Sequence, residues 1–289
     1  MMSRLSSVVK QHPLITFFVL AFALSWWGWI LYAIDLSPTP IASFGPFLAA
    51  LVVLAITHGK SGVGGLLRRM VRWRVGVQWY AVALLLPVGV TLVAAASNVF
   101  LLGAQAPSLA ELGGWSNLFT LFPLLLLIPG MGGAWEEPGW RGYALPGLQA
   151  GRSALFASLI LGVVWAFWHL PLLMTGQMSW WDIVNIMGST IVLTWVFNST
   201  GGSVLIVMLF HAMNNTISGH FFSRMFSGAD SVSQSLLLAA VWCAVAIVVV
   251  VVAGPAHLSR KHRKQEEPSE TSPVSPMYEA QPKVQPRAQ

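Results

Sequence analysis

The chain has 289 residues, of which 16 are Lys or Arg and 10 are Asp or Glu, so 9% is charged while 55% is hydrophobic. Soluble globular chains run at about 25% charged. With a mean hydropathy of +0.68 this one cannot cover a water-facing surface with polar groups, which excludes a soluble domain and leaves the bilayer as its solvent.

A helix needs roughly 20 apolar residues to cross the hydrocarbon. In chain order, apolar runs occupy Pro13–Ala33, Ile41–Thr57, Trp79–Leu102, Leu118–Ala134, Ala154–Met174, Ile183–Phe197, Val204–Phe222 and Ser235–Ala253. The sequence therefore predicts an all-α polytopic membrane protein of about eight transmembrane helices. In the first run, Ala21-Phe22-Ala23 looks like a signal-peptidase site, but the apolar stretch continues through Trp26, Trp27, Trp29 and Ile30, which favours an uncleaved anchor. Between the second and third runs, Leu66–Trp79 mixes Arg68, Arg69, Arg72 and Arg74 with Leu67, Met70, Val71 and Trp73, the pattern of an amphipathic helix on anionic headgroups. The fourth run ends in Pro129-Gly130-Met131-Gly132-Gly133, which should break its helix.

Beyond Gly254 the composition turns to Lys, Arg, Glu, Pro, Ser and Gln, so residues 255–289 are expected to form a disordered tail after a membrane domain spanning 1–254. With eight spans and an inner start, fifteen of the sixteen basic residues fall on one side, Arg224 alone on the other. Basic residues collect on the cytoplasmic side, which puts both termini there, and the short chain suggests a prokaryotic cell membrane. The single cysteine, Cys243, rules out an intramolecular disulfide and a cysteine-based zinc site.

Ionisable groups at membrane depth are costly and tend to mark functional sites. Here three clusters remain once the loops are set aside: Glu136, Glu137 and Arg141 at the end of the fourth run, His169 deep in the fifth, and His211 with Asn215 in the seventh. Glu137 and Arg141 are four apart and can pair on one helical face, which turns Glu136 elsewhere, into the bundle. Each cluster alone has a bland reading: a solvated helix end, a histidine satisfied by a carbonyl freed at Pro171, an interhelical clamp. Three of them on three spans point to a shared site. Glu136, aided by His169, suits activation of water as a general base, and His211 with Asn215 suits donation to an oxyanion. No Gly-x-Ser-x-Gly occurs, so a covalent nucleophile is the weaker option. Glu136, His169 and His211 are also a possible zinc set with water in the fourth position, although His-Glu-x-x-His is absent.

In this order, Glu-Glu-x-x-x-Arg, an aromatic-x-x-x-His and His-x-x-x-Asn resemble the CPBP family, the type II CAAX prenyl endopeptidases and the bacteriocin-processing, Abi-like proteins. The resemblance covers Glu136 to Asn215 and implies an intramembrane protease of about eight helices with its site in the core four. It implies that Glu136 and His169 activate water, that His211 and Asn215 form the oxyanion hole, and that Glu137 and Arg141 accompany them. Trp165 stands where the family's pattern usually has Phe. The family is often labelled metalloprotease, and a metal-free glutamate mechanism is also argued for it. The implied substrate is a membrane-associated protein or peptide entering from the bilayer or the cytoplasmic side. A non-catalytic immunity or adaptor protein is the alternative; a transporter is disfavoured because no internal repeat is visible. Glu136 near an inner boundary and His169 about 24 Å up its helix, at 1.5 Å per residue, can share a water only if the Glu136 segment is drawn into the bundle. The expectation is one cavity, open to the cytoplasm, on which all four residues converge.

Overall fold

The structure, a computed structural model, describes residues 2–106, 116–221 and 225–259. Among these there is no strand; the fold is a bundle of helices, and the protein is a multi-pass membrane protein. Five helices are long and apolar enough to cross a bilayer. An N-terminal helix α1 (Met2–Gln11) precedes α2 (Pro13–Ala33), α3 (Gly45–Met70) and α4 (Val77–Leu102). Then come α5 (Ser116–Leu127), the short α6 (Glu137–Gly139) and α7 (Leu145–Gln149), α8 (Ala154–Trp168) and its continuation α9 (Leu170–Met174). Helices α10 (Trp180–Ser199), α11 (Val204–Asn214) and α12 (Gly228–Ala253) complete the bundle. The five long spans are α2, α3, α4, α10 and α12; shorter apolar helices cover Leu118–Leu127, Ala154–Trp168 and Val204–Gly219.

The first expected run coincides with α2. The second and third differ at the edges, because α3 does not stop at Thr57. It kinks at Gly59, whose φ of 60° breaks the helical path, and continues to Met70 with Arg68 and Arg69 in its last turn. The amphipathic stretch thus begins earlier than expected, as the second half of α3, and ends before α4.

The fourth expected run is corrected. Leu118–Ala134 is not one spanning helix. Helix α5 has 12 residues, about 18 Å at 1.5 Å per residue, too short for a bilayer core. Both its ends lie at one end of the bundle. Leu118 packs with Ala104, Ile217 and Phe226, while beyond Leu127 the chain turns at Gly130, with a φ of 90°, beside Phe44 at the start of α3. The Ser43 hydroxyl donates to the Gly132 carbonyl, and the Trp135 indole donates to that of Leu126, fixing this turn. From Gly133 the chain runs into the bundle as short helical pieces ending in α7. The expected break is real, and the crossing lies after it rather than before it.

At the other end of the bundle, the Arg69 guanidinium donates to the Gly142 carbonyl, Arg72 to that of Gly201, and the Ser203 hydroxyl to that of Arg72. The backbone of Pro255 and Ala256 accepts from the first N–H groups of α8, and Asn198 donates to His257. Leu258 and Ser259 are buried. The chain therefore stays packed five residues past Gly254; the expected tail from 260 onward lies outside the described residues, as does Arg224.

Close approach of backbones needs residues without side chains. Gly139 faces the backbone of Pro46 so closely that a Cβ would overlap its carbonyl, whereas a Cβ on Gly89, on the open side of α4, would meet nothing. Gly139→Ala should therefore lower the apparent melting temperature of the detergent-solubilised protein, with a cost of about 1–3 kcal/mol for forced backbone movement, and Gly89→Ala should leave it unchanged or slightly raised. Unfolding followed by tryptophan fluorescence checks both.

Candidate active site

The site is built on the irregular run that follows Gly132. A 3₁₀ turn at Gly133–Glu136 leads into α6, then a π-helical turn at Trp140–Ala144, then α7. Such π turns in short helices are frequent at functional sites, and Pro138 keeps the first pieces from merging into one helix. Irregular backbone at membrane depth is tolerated where protein surrounds it or where it lines a cavity. Here both hold: Glu137 and Arg141 are wholly buried, and Glu136 is 4% exposed, at a cavity wall.

The two acids part ways as their spacing predicts. Glu137 Oε1 accepts from Arg141 Nη1 at 2.9 Å and from His211 Nδ1 on α11 at 2.6 Å. The Arg141 guanidinium lies over the Trp165 ring of α8, 4.4 Å from its centroid. Glu136 instead accepts from the Trp165 indole N–H, 2.7 Å at Oε2. His169, the residue after α8, has Nδ1 2.8 Å from the Trp165 carbonyl. A carbonyl only accepts, so Nδ1 carries a proton and Nε2 is the ring nitrogen left for the cavity. The Trp165 ring also meets those of His169 and His211 edge-on, with centroids 5.5 Å away in each case. One indole thus links all three sequence clusters. At Gly133 a Cβ would overlap His211 Nε2, so the glycine is what lets that ring stand against the turn.

A cavity of about 660 Å³ opens beside this cluster. Glu136, His169, His211 and Asn215 all line it, as a shared site requires, together with Trp165 and Asn214. Asn214 Oδ1 is buried without a hydrogen-bond partner among the described residues. Glu137 and Arg141 do not line the cavity; they stand behind it. The more exposed of its lining residues are Thr39 between α2 and α3, Gln177 and Ser179 before α10, and Ser231 of α12. These lie at the end of the bundle away from Arg68, Arg69, Arg72 and Arg152, so the cavity does not open on the basic side, as expected, but opposite to it.

Two residues of the site are not evident from the sequence pattern. Trp165 is visible as an aromatic four residues before His169, on the same helical face, but nothing in that spacing marks its N–H as the donor to Glu136. Asn214 is overshadowed by its neighbour Asn215; only the π-helical turn that begins at Asn215 brings both to the cavity. For a zinc ion, the fit is poor. Among the described residues no three His, Cys, Asp or Glu side chains come together as a metal-holding group, Glu136, His169 and His211 included.

Comparison with known proteins covers the same segment. Residues 115–217 match the family type II CAAX prenyl endopeptidase Rce1-like. Over 115 residues the chain is 30% identical to a protein of Methanococcus maripaludis named CAAX prenyl protease 2, an alignment that covers 36% of this chain and 42% of that protein. The similarity thus spans less than half the length of that relative. Residues 115–217, which carry Glu136, His169, His211 and Asn215, are thus similar to the type II CAAX prenyl endopeptidases.

Proposed function

We propose that the chain is an intramembrane endopeptidase that hydrolyses a peptide bond of a membrane-associated protein or peptide with water activated by Glu136 and His169. The observation that carries this reading is the convergence of Glu136, His169, His211 and Asn215 on one cavity, from three separate segments of the bundle. In the reaction, a water held between the Glu136 carboxylate and His169 Nε2 loses a proton to Glu136 as its oxygen attacks the scissile carbonyl carbon. The carbonyl oxygen becomes an oxyanion and accepts hydrogen bonds from the Asn215 amide and from His211, which acts as an imidazolium, its Nδ1–H held by Glu137 and its Nε2–H donated to the oxyanion. As the tetrahedral intermediate collapses, the C–N bond breaks, and the proton on Glu136 passes to the departing amine. Trp165 positions Glu136 through its N–H. Glu137 and Arg141 act through His211, holding its ring. No step passes through a metal.

A non-catalytic clamp is the competing reading, favoured by the buried Glu137–Arg141–His211 network. The two readings separate by residue. Glu136→Gln should abolish cleavage of membrane-anchored, fluorescence-quenched peptides by purified protein in liposomes, at an unchanged melting temperature. Glu137→Gln should instead lower the melting temperature, since breaking a buried pair costs about 3–5 kcal/mol. Full cleavage by a well-folded Glu136→Gln protein would sink the protease reading.

Two further outcomes refine the mechanism. Trp165→Phe keeps the ring over Arg141 and removes the N–H. Loss of one hydrogen bond to a charged group, about 1.5–3 kcal/mol, should reduce kcat about 10- to 100-fold with little change in KM. Prolonged treatment with a chelator, followed by the same peptide assay, should leave the rate unchanged; a loss restored by added zinc would instead show a metal-dependent reaction.

A further inference from the structure

The charges and the cavity occupy opposite ends of the bundle. The described parts of the connections at the cavity end, 34–44, 103–106, 175–179 and 225–227, contain no Lys or Arg; Arg224, in the same connection as 225–227, lies outside the described residues. Acidic residues do stand there: Asp35 after α2, Asp182 in the first turn of α10 and Asp230 in the first turn of α12. At the other end, Lys60, Arg68 and Arg69 belong to the part of α3 beyond its kink, Arg72 and Arg74 to the link into α4, and Arg152 to the link into α8. Lys10 ends α1, just before α2 begins. These are short connections beside the spans, the class of loop for which basic residues set orientation.

The cavity draws no wall from the basic end. Its lining comes from the 34–44 and 175–179 connections, the turn at Gly130–Gly133, and the halves of α8, α10, α11 and α12 nearest to them. Between the two ends stand the fully buried Glu137, Arg141, Trp140 and Trp168, which close the bundle beneath Glu136. The cavity that Glu136 lines is thus walled, among the described residues, by segments of the acidic end.

From these observations we infer that the site faces the extracytoplasmic side, and that its substrate is a membrane-anchored polypeptide presenting its cleavable segment on that side of the bilayer. The substrate half of this inference rests on the protease reading above; the orientation half does not. A C-terminus prenylated in the cytoplasm would meet the closed, basic end. Thr39, Gln177, Ser179 and Ser231 at the mouth suit an uncharged, extended backbone that brings its own N–H and C=O groups to be satisfied.

Two single cysteines in a Cys243→Ala background test the orientation in intact cells with a membrane-impermeant maleimide. Gln177→Cys at the mouth should be modified from outside, and Gln78→Cys at the start of α4 only after permeabilisation. The reverse pattern, or equal labelling of both, overturns the inference. Two single-span reporters then test the substrate, one with its cleavable segment outside and one with it in the cytoplasm. The outer reporter should be cut by the wild type and spared by Glu136→Gln. Cleavage of the cytoplasmic reporter overturns the sidedness. If neither is cut while the labelling holds, the orientation stands and the proposed hydrolysis falls, so the two failures are distinguishable.

Discussion

A carboxylate carried to membrane depth must find its counter-charge inside the protein, because lipid offers none. Glu137 finds it in Arg141, one turn along its own segment, and takes a second hydrogen bond from His211 on α11. Much of the site geometry follows from that pairing. It ties the irregular run after Gly132 to the middle of α11, and it leaves Arg141 to lie against Trp165, which ties in α8. The Trp165 indole is then placed to reach Glu136, the one acid of the pair left without a cation. Removing a partner from such a buried group costs more than the contact gains, so the network is stiff in the sense that matters for catalysis: its parts do not relax independently.

The run that carries both acids is not a regular helix, and physical reasons for this lie in its sequence. Two glycines and a proline follow one another in Gly133–Gly139, and Gly142 and Pro146 come soon after. Gly133 clears His211, Gly139 clears Pro46 and Gly142 approaches Leu66, so each glycine answers to a particular neighbour. The 3₁₀ and π turns that result shift the angular spacing of successive side chains away from 100°. Glu136 and Glu137 face a cavity and a buried ion pair rather than one common surface.

How far this could be read from the residues varies along the chain. The bounds of α2, the apolar stretches and the three polar clusters were legible, because long apolar runs and rare charges are strong signals in a lipid solvent. The convergence of Glu136 and His169 was legible only as a condition: the 24 Å climb along α8 required the Glu136 segment to be drawn inward. That condition is met because the crossing begins after Gly132 and not at Leu118. The path of α5 was not legible. Its twelve apolar residues satisfy a hydropathy pattern equally well whether they cross the bilayer or run along one end of a bundle, and tertiary contacts of Leu118 decide between the two. The role of the Trp165 N–H was hidden for a similar reason, since composition registers an indole as apolar bulk and says nothing of its donor.

The direction of the cavity follows from the same correction. If Leu118–Ala134 crossed the membrane outward to inward, Glu136 would stand at the basic face, and a cavity there would open to the cytoplasm. With both ends of α5 at the opposite face, the chain enters the bundle at Gly133 from the acidic end and reaches the basic end only at α7. Glu136 is then met early in the crossing, at the same depth as the end of α8 where His169 stands, and the histidine no longer needs to be reached from across the membrane. The number of crossings is unchanged by this shift, so the assignment of basic residues to one side survives while the address of the site reverses. Sidedness of the bundle and sidedness of its chemistry are separate quantities in this fold, and the position of one break, between Pro129 and Gly133, sets the second without touching the first.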